Sequence, residues 1–132
     1  PYFEKIDENT VFIGRSIGPP FILRVLELLN KPVKASFLVA GFCSDIGLKE
    51  FRPVLDTFID KPFNWNKIRA NCQKFIVYHS VDDPIVPLKN GEELAEKLGV
   101  KLRVFEDGGH FNIGTMYGLK FEEILEDVKE LL

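Results

Sequence analysis

The stretch Thr10-Val11-Phe12-Ile13-Gly14-Arg15-Ser16-Ile17-Gly18-Pro19-Pro20 decides the fold. Its first four residues are near-continuously apolar, as suits a strand buried on both faces of a parallel sheet. The run stops at Gly14. Beyond it Phe21, Ile22, Val25, Leu26 and Leu29 recur at spacings of three and four, which makes one apolar helical face. Pro19 and Pro20 fit the first helical turn, where N–H groups have no helical partner in any case. Lys31-Pro32 closes the helix. Between strand and helix, Gly14-Arg15-Ser16-Ile17-Gly18 reads Gly-X-Ser-X-Gly, the pattern of a serine held on a sharp strand-to-helix turn. Small residues two before and two after that serine would let strand and helix approach closely.

Outward from this stretch the same alternation continues. A second strand is predicted over Ala35 to Phe42, a third over Lys74 to His79 and a fourth over Lys101 to Phe105. A helix from about Gly91 to Leu98 separates the last two strands, with Gly99 as its C-terminal stop. A final helix from about Leu119 to Leu132 is expected to bury Phe121, Ile124, Leu125, Val128 and Leu131. The stretch from Ser44 to Ala70 is broken by Pro53 and Pro62 and reads as one or two helices plus a loop. Strands alternating with helices predict a parallel α/β sheet, with the four strands in sequence order.

Composition narrows the function. The 132 residues suffice for one domain with one core and are too few for two ordinary ones. A net charge of -3 with scattered lysines and arginines lacks the basic patch that nucleic acid requires. Apolar runs such as Phe37 to Ala40 are far too short to span a membrane. The two cysteines, Cys43 and Cys72, and the two histidines, His79 and His110, show no metal-ligand spacing. Two thiols without a disulfide framework suit a cytoplasmic protein. No phosphate-binding glycine loop is present, and neither a metal nor a cofactor is expected.

Two further segments carry chemistry. Ser80-Val81-Asp82-Asp83-Pro84 follows the third strand, and Asp107-Gly108-Gly109-His110-Phe111 follows the fourth. Both lie just past strand C-termini, where open α/β sheets place their ligands. A carboxylate there can orient an imidazole, and the imidazole can take the proton of Ser16. Periodicity does not choose between Asp82 and Asp83. Cys43 also follows a strand but lacks a glycine elbow, and His79 suits a structural role better than that of a base. Trp65 and the phenylalanines of residues 44–70 could wall an acyl-binding cleft or simply cover one sheet face.

Three segments together resemble the small serine hydrolases of the YdeN-like, retinoblastoma-binding-protein-nine type. They are Thr10 to Gly18; Trp65-Asn66-Lys67-Ile68-Arg69-Ala70-Asn71-Cys72; and Asp82-Asp83-Pro84-Ile85-Val86-Pro87 running on to Gly109-His110-Phe111. The resemblance implies an α/β-hydrolase fold with a Ser-His-Asp triad of Ser16, His110 and Asp83. It also implies an oxyanion hole using the backbone N–H of Ile17, and small ester or amide substrates. Arg15 stands where this family commonly has histidine, and Pro19-Pro20 stands where a second small residue is common. The family pattern further implies an N-terminal portion, absent from residues 1–132, with the loop that gives the second oxyanion N–H. Losing one such donor costs about 10²–10³ in kcat. The alternative expectation is a hydrolase-fold module that binds partners without catalysis, or an inactive fragment. Without that upstream portion, Thr10 to Ile13 would be an unprotected sheet edge, expected to pair with the absent segment or with another chain.

Overall fold

A computed structural model describes residues 3–111 and 122–131. Its centre is a four-stranded parallel sheet of β1 (Val11–Arg15), β2 (Ala35–Val39), β3 (Phe75–Ser80) and β4 (Leu102–Phe105), in the spatial order β1-β2-β3-β4. Register sets Val11 beside Ala35, Ser36 beside Phe75 and Val77 beside Leu102. The connecting helices are α1 (Gly18–Leu28), α2 (Arg52–Ile59), α3 (Trp65–Ala70), α4 (Leu88–Leu98) and α5 (Glu122–Leu131). All four predicted strands and their order are present.

Because side chains of a strand alternate between faces, β2 and β3 feed two cores at once. Leu38, Phe75 and Val77 join Leu23 and Leu26 of α1, Ile68 of α3 and Leu94 of α4 on one face. Ala35, Phe37, Val39, Ile76 and Tyr78 form the other, against which Ile124, Val128 and Leu131 of α5 pack. Every residue of β2 and β3 is buried, which is why these strands read as largely apolar runs, with Ser36, His79 and Ser80 as their polar members. β1 lies at the edge of the sheet among the described residues, and Ile13 is 57% exposed.

Several expectations shift in detail. Leu125 is exposed rather than buried. Residues 124, 127, 128 and 131 share one helical face, and Asp127 fills its polar place there by accepting hydrogen bonds from Tyr78 and Arg103. Leu125 lies about a quarter turn away. The expected helix start at Leu119, its end at Leu132 and the burial of Phe121 fall outside the described residues. Phe21 is exposed on α1 and meets the ring of Phe58 edge-on, with centroids 5.8 Å apart. Gly99 ends α4 with φ of 73°, the left-handed conformation a helix stop favours.

The irregular stretch is tied down by polar side chains. Arg24 of α1 donates to the carbonyl oxygens of Phe58 and Pro62, at 2.8 and 3.3 Å, and to that of Lys61. Its guanidinium lies 3.7 Å from the Phe63 ring centre, a cation–π contact. Asn71 donates to the carbonyl oxygens of Leu26 and Leu29 at 2.7 and 2.9 Å and so satisfies the end of α1. Among the described residues no helix is long and apolar enough to cross a membrane.

Candidate active site

Ser16 sits at the turn from β1 into α1 with φ of 61°, a conformation uncommon and strained for a non-glycine residue. The surrounding structure enforces it. The Ser16 N–H donates to the Val39 carbonyl at 2.9 Å, extending the β1–β2 ladder by one residue. A Cβ on Gly14 would lie 2.7 Å from Ile22 Cδ1 and 3.0 Å from the Gly18 carbonyl carbon, so only glycine lets α1 pack this close. Gly18 differs from expectation: a Cβ there would meet nothing within 4 Å. It occupies the first residue of α1, where a side chain points into open space. Pro19 and Pro20 in this first turn are buried and carry no N–H. Ile17, the N-cap residue of α1, and Gly18 are thus the backbone donors left at this helix end.

His110 and Asp83 arrive from the loops after β4 and β3. His110 Nε2 lies 2.9 Å from Ser16 Oγ, and its Nδ1 lies 2.9 and 3.1 Å from the two Asp83 oxygens. A carboxylate only accepts, so Nδ1 carries the proton and Nε2 is free to accept from the Ser16 hydroxyl. Asp83 Oδ1 also accepts from the N–H groups of Ile85 and Val86, both at 2.9 Å. Burial opposes the Asp83 charge. The hydrogen bonds from His110, Val86 and Ile85 outweigh it and hold the carboxyl below its ordinary value. The Asp83 side chain is inaccessible to solvent and that of His110 nearly so, while Ser16 stays partly exposed. The structure brings Ser16, His110 and Asp83 together.

Asp82 does not reach the imidazole; it builds the loop that carries it. Its Oδ1 accepts from Ser80 Oγ at 2.5 Å and from the Gly109 N–H at 2.8 Å. Ser80 Oγ in turn accepts from the Gly108 N–H at 2.8 Å. The bonds that Asp82 accepts, from the Ser80 hydroxyl and then from the Gly109 N–H, hold its carboxyl below its ordinary value. Gly109 takes φ of 56°, which turns the chain into His110. From the opposite side Arg15 Nη1 donates to the His110 carbonyl at 3.3 Å. Neither the Ser80–Asp82 clamp nor the Arg15 strut is visible in the sequence pattern. Ser80 stands there only as the residue that follows the third strand, and Arg15 as a departure from the family pattern.

The other candidates take different roles, although His79 Nε2 lies 3.5 Å from Asp83 Oδ2. His79 is fully buried, bonds the Val86 carbonyl through Nε2 at 2.8 Å, and has no partner on Nδ1. A carbonyl only accepts, so Nε2 carries the proton and the ring is neutral, consistent with burial pushing its pKa down. Cys43 donates to Glu93 at 3.1 Å, and burial together with that carboxylate pushes its thiol pKa upward, the reverse of a nucleophile's need. Both cysteines are buried and unpaired. Among the described residues no cluster of three or more His, Cys, Asp or Glu side chains could hold a metal ion.

A cleft of about 260 Å³ opens beside Ser16 and His110, with Ile17 and Ile46 among its walls. Phe42 and Leu55 are buried and line it, while Leu48, Phe51, Val54 and Ile85 complete its sides. Of the aromatic residues between 44 and 70, only Phe51 lines it. Phe63 and Trp65 belong instead to a larger hollow of about 480 Å³ beside Cys43 and Glu93, which includes none of Ser16, Asp83 and His110.

Comparison with known proteins agrees with this architecture. Residues 2–129 match the family model described as serine hydrolase. The chain is 36% identical over 126 residues to serine hydrolase RBBP9 of Rattus norvegicus, covering 96% of this chain and 63% of that protein. It is 34% identical over 112 residues to the putative hydrolase YdeN of Bacillus subtilis (strain 168), covering 83% and 57% respectively. The crystal structure of the ydeN gene product superposes with a TM-score of 0.88 at 28% identity, over 98% of this chain and 69% of that one. The chain thus spans about six tenths of the length of these curated relatives.

Proposed function

The chain belongs to the serine hydrolase family, and from that premise we propose that it cleaves small esters or amides through an acyl-Ser16 intermediate. The observation that carries this reading is the unbroken hydrogen-bond chain from Ser16 Oγ through the His110 ring to Asp83. Ser16 Oγ attacks the substrate carbonyl carbon while its proton passes to His110 Nε2. The imidazolium, stabilised by Asp83, then gives that proton to the departing alcohol or amine. Water follows the reverse route: His110 takes its proton as the water oxygen bonds to the acyl carbon, and the imidazolium returns that proton to Ser16 Oγ as the acyl–Oγ bond breaks and the carboxylic acid leaves. The Ile17 N–H, directly after the nucleophile, is the donor for the oxyanion of each tetrahedral intermediate.

A binding module without catalysis has no physical need of a buried carboxylate aligned through an imidazole to a partly exposed hydroxyl. A fluorophosphonate probe tests the reading. It should label Ser16, found by peptide mass, and labelling should vanish in Ser16→Ala and nearly vanish in His110→Ala. Equal labelling of Ser16→Ala would show that the reactive group lies elsewhere.

A further inference from the structure

We propose that the cleft beside Ser16 is an acyl subsite for uncharged apolar acyl groups of medium length. This rests on Ser16 being the nucleophile. Apart from Ser16 and His110 every side chain lining the cleft is a hydrocarbon, and none carries a charge. Phe42 and Leu55, together with Val86, form a buried cluster of their own, so the floor is already packed and dry. The rim behaves differently. Phe51, Val54 and Ile85 are 56%, 55% and 39% exposed, and all three border one opening. Scattered apolar residues on a surface need no explanation, but several gathered around one reactive group mark a ligand surface.

Two arguments assign the cleft to the acyl side rather than to the leaving group. The acyl group stays bonded to Ser16 Oγ through both half-reactions, so a pocket opening on that atom acts throughout. The leaving group, by contrast, departs once it takes the proton from His110 Nε2, so apolar walls beside Ser16 would hold it for one half-reaction only. Size limits the occupant. At on the order of 30 Å³ per water-sized group, the cleft holds roughly eight such groups, and a carboxylate within it would be buried unpaired.

The test uses the chain itself with p-nitrophenyl esters from acetate to decanoate. kcat/KM should rise about four-fold per added methylene and level off once the cleft is full. The glutaryl monoester, with a terminal carboxylate, should fall at least about ten-fold below the pentanoate. Val54→Asp should cut the ratio of octanoate to acetate turnover by about ten-fold or more. Leu28→Ser, at an exposed residue outside the cleft, should leave that ratio alone. The rate at which p-nitrophenyl alkylphosphonates label Ser16 reads the same preference without turnover. A flat profile, an unchanged ratio in Val54→Asp, or chain-length dependence only in the alcohol half overturns the subsite while leaving the hydrolase reading standing. No ester cleaved and no labelling of Ser16 would overturn the hydrolase reading, and the subsite with it.

Discussion

Asp83→Asn separates the charge of the acid from its shape. Asp83 Oδ1 receives the N–H groups of Ile85 and Val86, both at 2.9 Å. An asparagine must therefore turn its carbonyl oxygen to that side, since its amide nitrogen would meet two donors. The amide nitrogen then occupies the place of Oδ2, which faces His110 Nδ1 at 2.9 Å. A donor there needs Nδ1 as acceptor, so the imidazole proton moves to Nε2 and points at Ser16 Oγ. The base is then unable to take the serine proton. The serine-protease precedent for this tautomer error is a loss of about 10⁴ in kcat, which corresponds to about 5 kcal/mol of transition-state stabilisation. Pre-steady-state hydrolysis of a p-nitrophenyl ester measures it, with the thermal midpoint as a check that the fold survives. A variant that folds and keeps activity within ten-fold would show that the carboxylate does not set the tautomer.

Three further outcomes follow from the same geometry. Asp82→Asn keeps an oxygen for Ser80 and Gly109 and should be mild, whereas Asp82→Ala frees the His110 loop and should lower kcat/KM by about ten-fold or more; equal losses in steady-state kinetics would count against the clamp. Gly14→Ala should cost about 1–3 kcal/mol through contact with Ile22 and the α1 backbone. Gly18→Ala should instead be neutral or stabilise by up to about 1 kcal/mol, and urea titrations that reverse this order would refute the packing argument. His79 is held below its ordinary 6.5 by burial, so the unfolded chain takes up a proton that the folded chain refuses. Its stability is full above that value and falls as the pH drops below it. Urea midpoints at about pH 7 and 5.5 should diverge in the native chain and diverge less in His79→Leu; parallel losses would exclude His79 as the source.

The parts of this molecule legible in the sequence are those fixed by local chemistry. Buried parallel strands announce themselves as apolar runs, and Gly-X-Ser-X-Gly marks the elbow because Gly14 has a backbone and a side chain against it. Gly99 marks the end of a helix by its conformation. Periodicity failed where a residue's fate depends on a distant neighbour. Leu125 faces out because α5 turns Ile124, Val128 and Leu131 to the sheet instead, with Asp127 bonded to Tyr78 and Arg103, and Phe21 faces out beside Phe58. Phe63 and Trp65 could in sequence wall a cleft or cover a sheet face; they do the latter, joining the core on the α1 side, where the Arg24 bonds hold their loop. Asp82 and Asp83 are indistinguishable as residues. One peptide unit separates a group that bonds the imidazole from one that bonds the loop beneath it, and that difference exists only once β3 and β4 lie side by side.

The monotonic strand order has a consequence for biosynthesis. Each successive strand is added on the same side of the last, from β1 to β4, and the hydrogen bond between Ser16 and His110 closes over 94 residues. A ribosome delivers the elbow before the imidazole. Throughout that interval the hydroxyl of Ser16 has no base beside it. The nascent chain thus carries Ser16 without its imidazole partner, and the hydrogen bond forms only when the loop beyond the fourth strand docks.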